Sequence, residues 1–294
     1  MSTQRLNCPV CGSLESTLLS RYKRVALVEC QGCKVVYVPL IPTQAELELE
    51  YSKYIREAPT SQITVQRREE ILDSFEPFRQ TGKLLDIGCG SGGFLDQAKA
   101  RGWDTYGTEF TDEAVELCSA RGHKMSHGVL SPEHYQPSAF DVLISTEVLE
   151  HIANHQEEIP NMARIIRPGG FLYITTPNWN AFSRLLLGEK WTVIHYPEHL
   201  VYFTPNTLRE MLERAGFREL WSVTSGIGLG RVKQAISGAK GGNVADAIFE
   251  ERLRESMESN PVMAVLKRLT NGVLDATGRG DALKAGFILA NESK

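Results

Sequence analysis

The sequence predicts an α/β fold in which a doubly wound sheet follows a small β ribbon. From Lys83 onward, short apolar segments alternate with segments of helical periodicity, a pattern typical of parallel strands joined by crossover helices. Before that point, the first 42 residues contain two closely spaced cysteine pairs, which indicate a small domain organised by a metal ion. We therefore predict a ribbon over residues 1–42, a helical connector or cap over 43–80 and a Rossmann-like domain over 81–294.

The two cysteine pairs are Cys8-Pro-Val-Cys11 and Cys30-Gln-Gly-Cys33, with 18 residues between them. Tetrahedral zinc needs two close thiolate pairs that a hairpin brings together, so these four cysteines are predicted to bind structural zinc. The segments VALVEC and KVVYV supply the strands of the ribbon. Two disulfides are the alternative, but they suit a secreted chain. A closed four-thiolate shell favours a structural or docking role over a catalytic one.

Two helices are predicted in the connector. One lies within TQAELELEYSKYIREAP, where Leu47, Tyr51 and Tyr54 share a face, and the other runs from Thr64 to Phe78. We expect these helices to cover the mouth of the following domain, although a solvated connector fits the pattern as well.

The sheet domain begins with KLLDI and contains five further apolar strands that alternate with helices. These strands are predicted in DTYGTEF, HKMSHG, FDVLIS, GFLYITT and ELWSVT. In such a sheet a ligand binds beyond the carboxyl ends of the strands. Residues 228–280 are predicted to form a helical insertion with a break near Asn260-Pro261, serving as a substrate lid or as an oligomer contact.

The segment LLDIGCGSGGFL contains glycines at the G-x-G-x-x-G spacing of a dinucleotide-binding loop. Glu109 follows Gly88 by 21 positions and would suit the ribose of either a nicotinamide cofactor or another nucleoside. Asp86 discriminates better, because a carboxylate at the end of the first strand repels a pyrophosphate. It favours a ligand that carries an ammonium group and no phosphate, and S-adenosylmethionine is such a ligand.

The motif D-x-G-x-G-x-G, formed by Asp86, Gly88, Gly90 and Gly92, resembles the first motif of class I S-adenosylmethionine-dependent methyltransferases of the ubiquinone-pathway, small-molecule type. YGTEF, FDVLISTEVLEHI and RIIRPGGFLYITTPNW resemble later motifs of the same family, in the same order. The resemblance spans residues 83–225 and resumes at GRGDALKAGFILANE. It implies a seven-stranded sheet and S-adenosylmethionine as the cofactor.

The same resemblance implies roles for residues beyond the glycine loop. Glu109 is expected to bind the ribose hydroxyls, Phe110 to border the adenine, and Thr146 to lie beside the cofactor. Many family members place an acid after the third strand, whereas this chain has HGVLSP at that point. Adenine recognition is therefore expected to use backbone groups near Val129 and Leu130.

The segment HYPEHLVYF concentrates titratable side chains where the acceptor should bind. Two imidazoles beside a carboxylate suit a general base whose tautomer is set by a neighbour, so His199, His195 and Glu198 are the predicted catalytic residues. We favour His199 over His195 because it lies nearer the family's matched segment. The alternative is that the histidines serve as hydrogen-bonded anchors of a packed loop.

Glu147, Glu150 and His151 form a second candidate cluster. Their i, i+3, i+4 spacing would place them on one helix face, and the corresponding residues of some ubiquinone-pathway methyltransferases are implicated in magnesium binding. Relatives without a metal requirement share this pattern, so structural zinc is the only metal that we expect.

The net charge and the composition limit the kinds of partner that we expect. A net charge of -4 gives no basic field for nucleic acid, and no apolar run is long enough to span a membrane. The start of the sequence lacks the apolar stretch of a secretory signal, so we predict a cytoplasmic enzyme. Its expected acceptor is a small molecule, plausibly a sugar or natural-product intermediate, since the ribbon fusion resembles deoxysugar C-methyltransferases. A protein or RNA methyltransferase with a recognition ribbon and a non-enzymatic cofactor-binding protein are the alternatives; the oligomeric state stays open.

Overall fold

The structure, a computed structural model, describes residues 3–51, 61–228 and 261–291. The strands are β1 (Thr3–Gln4), β2 (Ser16–Leu18), β3 (Val28–Cys30), β4 (Val36–Tyr37), β5 (Leu40–Ile41), β6 (Lys83–Ile87), β7 (Asp104–Glu109), β8 (Lys124–His127), β9 (Phe140–Thr146), β10 (Ile166–Pro177), β11 (Val201–Tyr202), β12 (Phe217–Ser225) and β13 (Ala282–Leu289). The helices are α1 (Gln44–Tyr51), α2 (Gln62–Phe75), α3 (Gly93–Ala100), α4 (Asp112–Ala120), α5 (His155–Ile165), α6 (Phe182–Leu187), α7 (Pro205–Arg214) and α8 (Pro261–Ala276).

The main sheet has seven strands in the order β12-β13-β10-β9-β6-β7-β8. Neighbours among β6 to β10 pair in parallel, whereas β13 lies antiparallel between β10 and β12. The α/β fold with a seven-stranded, mostly parallel sheet is thus confirmed. Because the parallel strands point the same way, the loops after β6, β7, β8, β9 and β10 share one edge of the sheet.

Helices cover both faces of this sheet, so its central strands are apolar along almost their whole length. In β9, every side chain from Phe140 to Ser145 is buried, and only Thr146 at the carboxyl end is exposed. A buried Asp141 fixes the opposite end of the sheet by accepting hydrogen bonds from the amides of residues 80–82 and from the Arg167 guanidinium. The polar, accessible positions of the central strands are therefore concentrated at the carboxyl edge.

The amino-terminal segment forms two small antiparallel sheets. One pairs β1 with β5, and the other has the order β11-β4-β3-β2. The strands predicted within VALVEC and KVVYV correspond to β3 and β4. The fourth strand, β11, was not expected in this sheet, since it lies far along the chain and pairs through Val201 with Tyr37 and through Tyr202 with Val36. The ribbon sheet is therefore completed by a strand that follows β10.

The connector helices agree in part with the sequence pattern. The first predicted helix corresponds to α1, and its continuation beyond Tyr51 lies outside the described residues. The second starts and ends slightly earlier than expected, because α2 closes at Phe75 and a short 3-10 turn continues to Phe78. The break predicted near Asn260-Pro261 matches the start of α8, while residues 229–260 lie outside the described ranges. The three domain boundaries stay predictions.

None of the described helices combines the length and apolar character that a bilayer span requires.

Candidate functional site

The glycine loop connects β6 to α3 at the carboxyl edge of the sheet. Gly88, Gly90 and Gly92 all have positive φ values, of 71°, 54° and 73°, which disfavour residues with a side chain. A Cβ at Gly88 would lie 2.6 Å from Val148, and one at Gly92 would lie 2.6 Å from Cys118. A Cβ at Gly90 would meet nothing within 4 Å among the described residues. The loop is tightly packed on both sides and leaves an open space at its centre.

Asp86 lies at the end of β6 directly below this loop, and only 5% of it is exposed. The pKa of Asp86 is raised to about 8, chiefly by burial and also by the nearby Glu109 carboxylate, whereas Arg68 acts in the opposite direction. A carboxyl group with these neighbours is protonated at neutral pH unless a cation reaches it. The site is therefore prepared for a positively charged ligand group.

Glu109 ends β7 and ties the two adjacent loops together. Its Oε2 atom accepts a hydrogen bond of 2.9 Å from the Gly90 amide, and its Oε1 accepts one of 2.6 Å from the Phe110 amide. Two amide donors hold the carboxylate in one orientation at the rim of the open space. Asp86, the glycine loop, Glu109 and Phe110 thus lie together at this edge of the sheet.

Arg68 is a site residue that the sequence reasoning missed. It projects from α2, and its Nη1 lies 2.8 Å from the position of a Cβ at Gly93, the first residue of α3. Burial lowers the pKa of Arg68, whereas the charges of Asp86 and Asp96 raise it. The only sequence signal was an Arg67-Arg68 pair in the connector, and it indicated nothing about which loop the guanidinium would reach.

The loop after β8 offers less than the sequence suggested. Val129 is 67% exposed, whereas Leu130 is 2% exposed and packs in the core. Burial raises the pKa of the neighbouring Glu158 to about 7, and the Leu130 backbone acts in the opposite direction. Thr146, the residue expected beside the cofactor, is exposed at the end of β9.

The predicted catalytic segment places its three titratable residues in one cluster. The His195 Nδ1 lies 2.9 Å from Glu198 Oε2, and the His199 Nε2 lies 3.8 Å from Glu198 Oε1. The His199 Nδ1 lies 2.8 Å from the Val193 carbonyl oxygen. Because a carbonyl only accepts, this bond puts the proton of neutral His199 on Nδ1 and the lone pair on Nε2. His199 is mostly buried, whereas His195 is half exposed.

The expectation that Glu147, Glu150 and His151 share one face of a helix is wrong. Glu147 has a φ of 53°, and residues Leu149–His151 form a single 3-10 turn, so no α-helical spacing exists here. Thr175 donates to Glu147, and Thr176 donates to the buried Glu150. A different triad is formed instead, since ligand atoms of Glu150, His151 and His199 lie within 4.8 Å of one another.

The two loops that carry these residues are joined by the backbone. The Leu200 amide donates to the Glu150 carbonyl at 2.7 Å, and the rings of His151 and His199 meet edge to face with centroids 4.8 Å apart. Val148, in the same turn as Glu150, abuts Gly88 of the glycine loop. A continuous series of contacts therefore connects the glycine loop to His199.

The four ribbon cysteines converge on one point. Cys8 Sγ lies 3.7 Å from Cys33 Sγ, and Cys11 Sγ lies 3.5 Å from Cys30 Sγ. All four sulfur atoms lie within 4.8 Å of one another, and none of them is in a disulfide. A tetrahedral zinc with Zn–S bonds of about 2.3 Å separates its sulfur ligands by roughly 3.8 Å. The dimensions and the donor set both fit this metal.

The ribbon contacts the loops of the candidate site directly. Arg5 donates to the Ala153 carbonyl at 2.8 Å, and the Gln156 side chain donates to the Cys8 carbonyl at 3.1 Å. On the other side, the Val38 amide donates to the Leu200 carbonyl at 2.8 Å. The ribbon thus holds both the segment that follows His151 and the segment that follows His199.

The strand order and the glycine loop together define a class I methyltransferase architecture. The family described as Methyltransferase domain matches residues 60–222, more than half of the sequence, and the chain belongs to this family. The ubiquinone biosynthesis O-methyltransferase of Thiobacillus denitrificans is 30% identical over 148 residues, covering 46% of this chain and 63% of that protein. The match therefore spans less than two thirds of that relative's length.

Solved structures share the fold at low sequence identity. A SAM-dependent methyltransferase from Archaeoglobus fulgidus matches 84% of this chain and all of its own, with a TM-score of 0.52 and 17% identity. The geranyl diphosphate C-methyltransferase of Streptomyces coelicolor matches 77% of this chain and 78% of its own, with a TM-score of 0.53 and 13% identity. At these identities the likeness concerns the fold alone.

The buried Asp86 generates a prediction about stability. Its folded-state pKa is raised to about 8 from an unfolded value of about 3.9, so ligand-free protein loses stability as pH rises between these values. Asp86→Asn removes this penalty, and at pH 7 we expect a free energy of unfolding larger by on the order of 2 kcal/mol. Thermal unfolding at pH 5, 6, 7 and 8 measures the effect.

The matched control is Asp104→Asn at the start of β7, where the carboxylate is partly exposed and pairs with Lys124. The difference in stability between this variant and the parent protein should not grow as pH rises. Equal melting temperatures of Asp86→Asn and the parent protein across the whole pH range would contradict the account of Asp86.

Proposed function

We propose that the protein transfers a methyl group from S-adenosylmethionine to a small-molecule acceptor. The observation that carries this proposal is the placement of three charged residues around the glycine loop. Asp86 precedes the loop, Arg68 lies against Gly93 at its end, and Glu109 accepts from the Gly90 amide. A carboxylate and a guanidinium match the ammonium and carboxylate groups of a methionine tail, and a fixed carboxylate matches a ribose diol. A nicotinamide cofactor would instead bring its pyrophosphate against Asp86.

Each cofactor role follows from this arrangement. Asp86 receives the ammonium group, Arg68 the carboxylate, and Glu109 the ribose hydroxyls. Gly88, Gly90 and Gly92 let the backbone approach the ligand closely. Phe110 borders the adenine, the exposed Val129 offers its backbone to the adenine edge, and Thr146 faces the bound cofactor. The backbone of the buried Leu130 is proposed to contribute to the same edge.

The acceptor is proposed to be a sugar or a natural-product intermediate, methylated on oxygen or carbon. The cofactor supplies a methyl group on a positively charged sulfur, and the acceptor must lie in line behind that methyl carbon. His199 takes the acceptor's proton on Nε2, because its Nδ1–H is held by Val193. Glu198 contacts both histidines and positions them. Bound S-adenosylmethionine would supply the methyl group, and its sulfur would keep the electron pair of the sulfur–methyl bond as the bond to the acceptor forms.

We further propose that the ribbon binds zinc and supports the site rather than recruiting RNA or protein. Its cysteine cluster has the size of a zinc shell, and its strand β4 pairs with β11, two residues beyond His199. About 40 residues gain too little from a core of their own to fold independently, so the metal would stabilise the ribbon. Loss of zinc would then loosen His199.

The zinc proposal predicts one equivalent of zinc in the purified protein. Removal by a chelator should increase hydrogen exchange at the Val38 amide, which bonds to Leu200, and Cys30→Ser should do the same. Elemental analysis and exchange mass spectrometry provide the measurements, with Cys118→Ser outside the cluster as control. Metal-free protein with an unchanged exchange pattern, or two disulfides, would contradict the proposal.

Methyl transfer itself is tested with radiolabelled S-adenosylmethionine and a fractionated metabolite extract, in which the labelled product identifies the acceptor. With that acceptor, His199→Gln should lower kcat by about 10²–10⁴-fold, because general base catalysis typically contributes this much. His195→Gln should have a much smaller effect, since its ring is bound to Glu198 and half exposed.

Binding of S-adenosylhomocysteine by each variant shows whether the cofactor site is intact. If no extract fraction accepts the label while the protein binds cofactor, it is a non-enzymatic binding protein. Near-normal turnover by His199→Gln with normal cofactor binding would remove His199 from the mechanism.

A further inference from the structure

Three arginine side chains from distant parts of the sequence meet at the segment of residues 179–185, which follows β10. The Arg21 Nη2 donates to the Leu185 carbonyl at 2.9 Å, and the Arg279 Nη1 donates to the Asn180 carbonyl at 3.2 Å. Arg184, in α6, donates to the Trp179 carbonyl and to the Tyr22 hydroxyl. Each of the three guanidinium groups thus donates to a carbonyl of the same short segment.

Among the described residues, this group of cations, the Arg21–Arg184–Arg279 cluster, has no carboxylate counter-ion. In the described parts of the chain, no Asp or Glu oxygen forms an ion pair within 4 Å of any of the three side chains. The buried Asp281 accepts instead from the Ser183 hydroxyl and the Gly228 amide.

Arg184 is the most constrained member, because it is buried and its contacts are neutral. Its guanidinium carbon lies 4.1 Å from the centre of the Trp179 ring. Burial lowers the pKa of Arg184, the Tyr22 hydroxyl raises it, and the charges of Arg21 and Arg279 lower it further. A buried cation among like charges is costly unless an anion compensates it.

Arg21 and Arg279 retain N–H groups beyond the one that each donates to the backbone. Arg21 and Arg279 each commit one terminal nitrogen to a backbone carbonyl. A guanidinium carries several N–H groups in a planar fork that matches the oxygens of a phosphate. Several guanidinium groups along one segment suit a ligand group with more than one negative charge, such as a phosphoryl or diphosphoryl group.

The cluster lies beside the proposed acceptor region. Thr175 and Thr176, near the end of β10, bond to Glu147 and Glu150, and Trp179 follows three residues later, within about 10 Å along the chain. The Trp179 amide donates to the Phe203 carbonyl, at the end of the segment that contains His199. An acceptor that reaches His199 could therefore extend to the arginines.

We infer that Arg21, Arg184 and Arg279 bind a phosphoryl or diphosphoryl group carried by the methyl acceptor. This inference rests on the proposed function, since it specifies the class of acceptor that the same site takes. The ribbon contributes Arg21 directly, which gives that domain a part in substrate recognition in addition to its support of the site.

The experiment titrates the full-length protein with inorganic pyrophosphate by calorimetry at physiological ionic strength. Arg21→Gln combined with Arg279→Gln should weaken binding by about tenfold for each guanidinium removed. Arg218→Gln, an exposed arginine on β12, is the matched control and should bind as the parent does. Succinate, which offers carboxylates in place of phosphates, should bind at least tenfold more weakly than pyrophosphate.

Titration of the same samples with S-adenosylhomocysteine separates the two proposals. Unchanged cofactor affinity with lost pyrophosphate affinity in the double variant supports the inference. Absence of pyrophosphate binding by the parent, equal binding by the double variant, or equal binding of succinate would overturn it. Pyrophosphate binding by a protein that ignores S-adenosylhomocysteine would instead overturn the cofactor assignment.

Discussion

A carboxyl group buried at the end of a central strand is the constraint around which this site is built. Asp86 is surrounded by protein, and its pKa is raised to about 8 first by that burial and then by Glu109. Such a group is costly to ionise unless a cation arrives, and Arg68 is the cation that the protein supplies nearby. The glycine loop above it is fixed by Val148, Cys118 and the Glu109 carboxylate. The ligand charge that the site accepts therefore depends on the shape of the glycine loop and on the position of Asp86 at the end of β6.

The ribbon and the sheet domain depend on each other through the backbone. Strand β11 belongs to the ribbon sheet, although it lies between β10 and α7 in the sequence. The amide of its neighbour Leu200 donates to the Glu150 carbonyl, and the Leu200 carbonyl accepts from the Val38 amide. One residue therefore connects the turn after β9 with the ribbon. The chemistry proposed for His199 thus depends on the integrity of the ribbon, none of whose residues has a proposed cofactor role.

Local spacing made several of these features predictable from the sequence. The cysteine pairs and the glycine loop are defined by residues close along the chain, and the alternation of strands and helices specifies the sheet. Features that depend on distant pairing were missed. The reach of Arg68 over α3 and the addition of β11 to the ribbon each require contacts between separate segments. The arginine cluster is the extreme case, since its members come from the ribbon, α6 and the loop before β13.

The central claim is that the ammonium group of the methionine tail is bound by a carboxyl group that must lose its proton to receive it. Calorimetric titration with S-adenosylhomocysteine at pH 7, repeated in buffers of different ionisation enthalpy, counts the protons released on binding. With a ligand-free pKa of about 8, the account predicts release of about one proton by the parent protein and none by Asp86→Asn, which should also bind far more weakly. Tight binding without proton release, or uptake of NAD with indifference to S-adenosylhomocysteine, would contradict it.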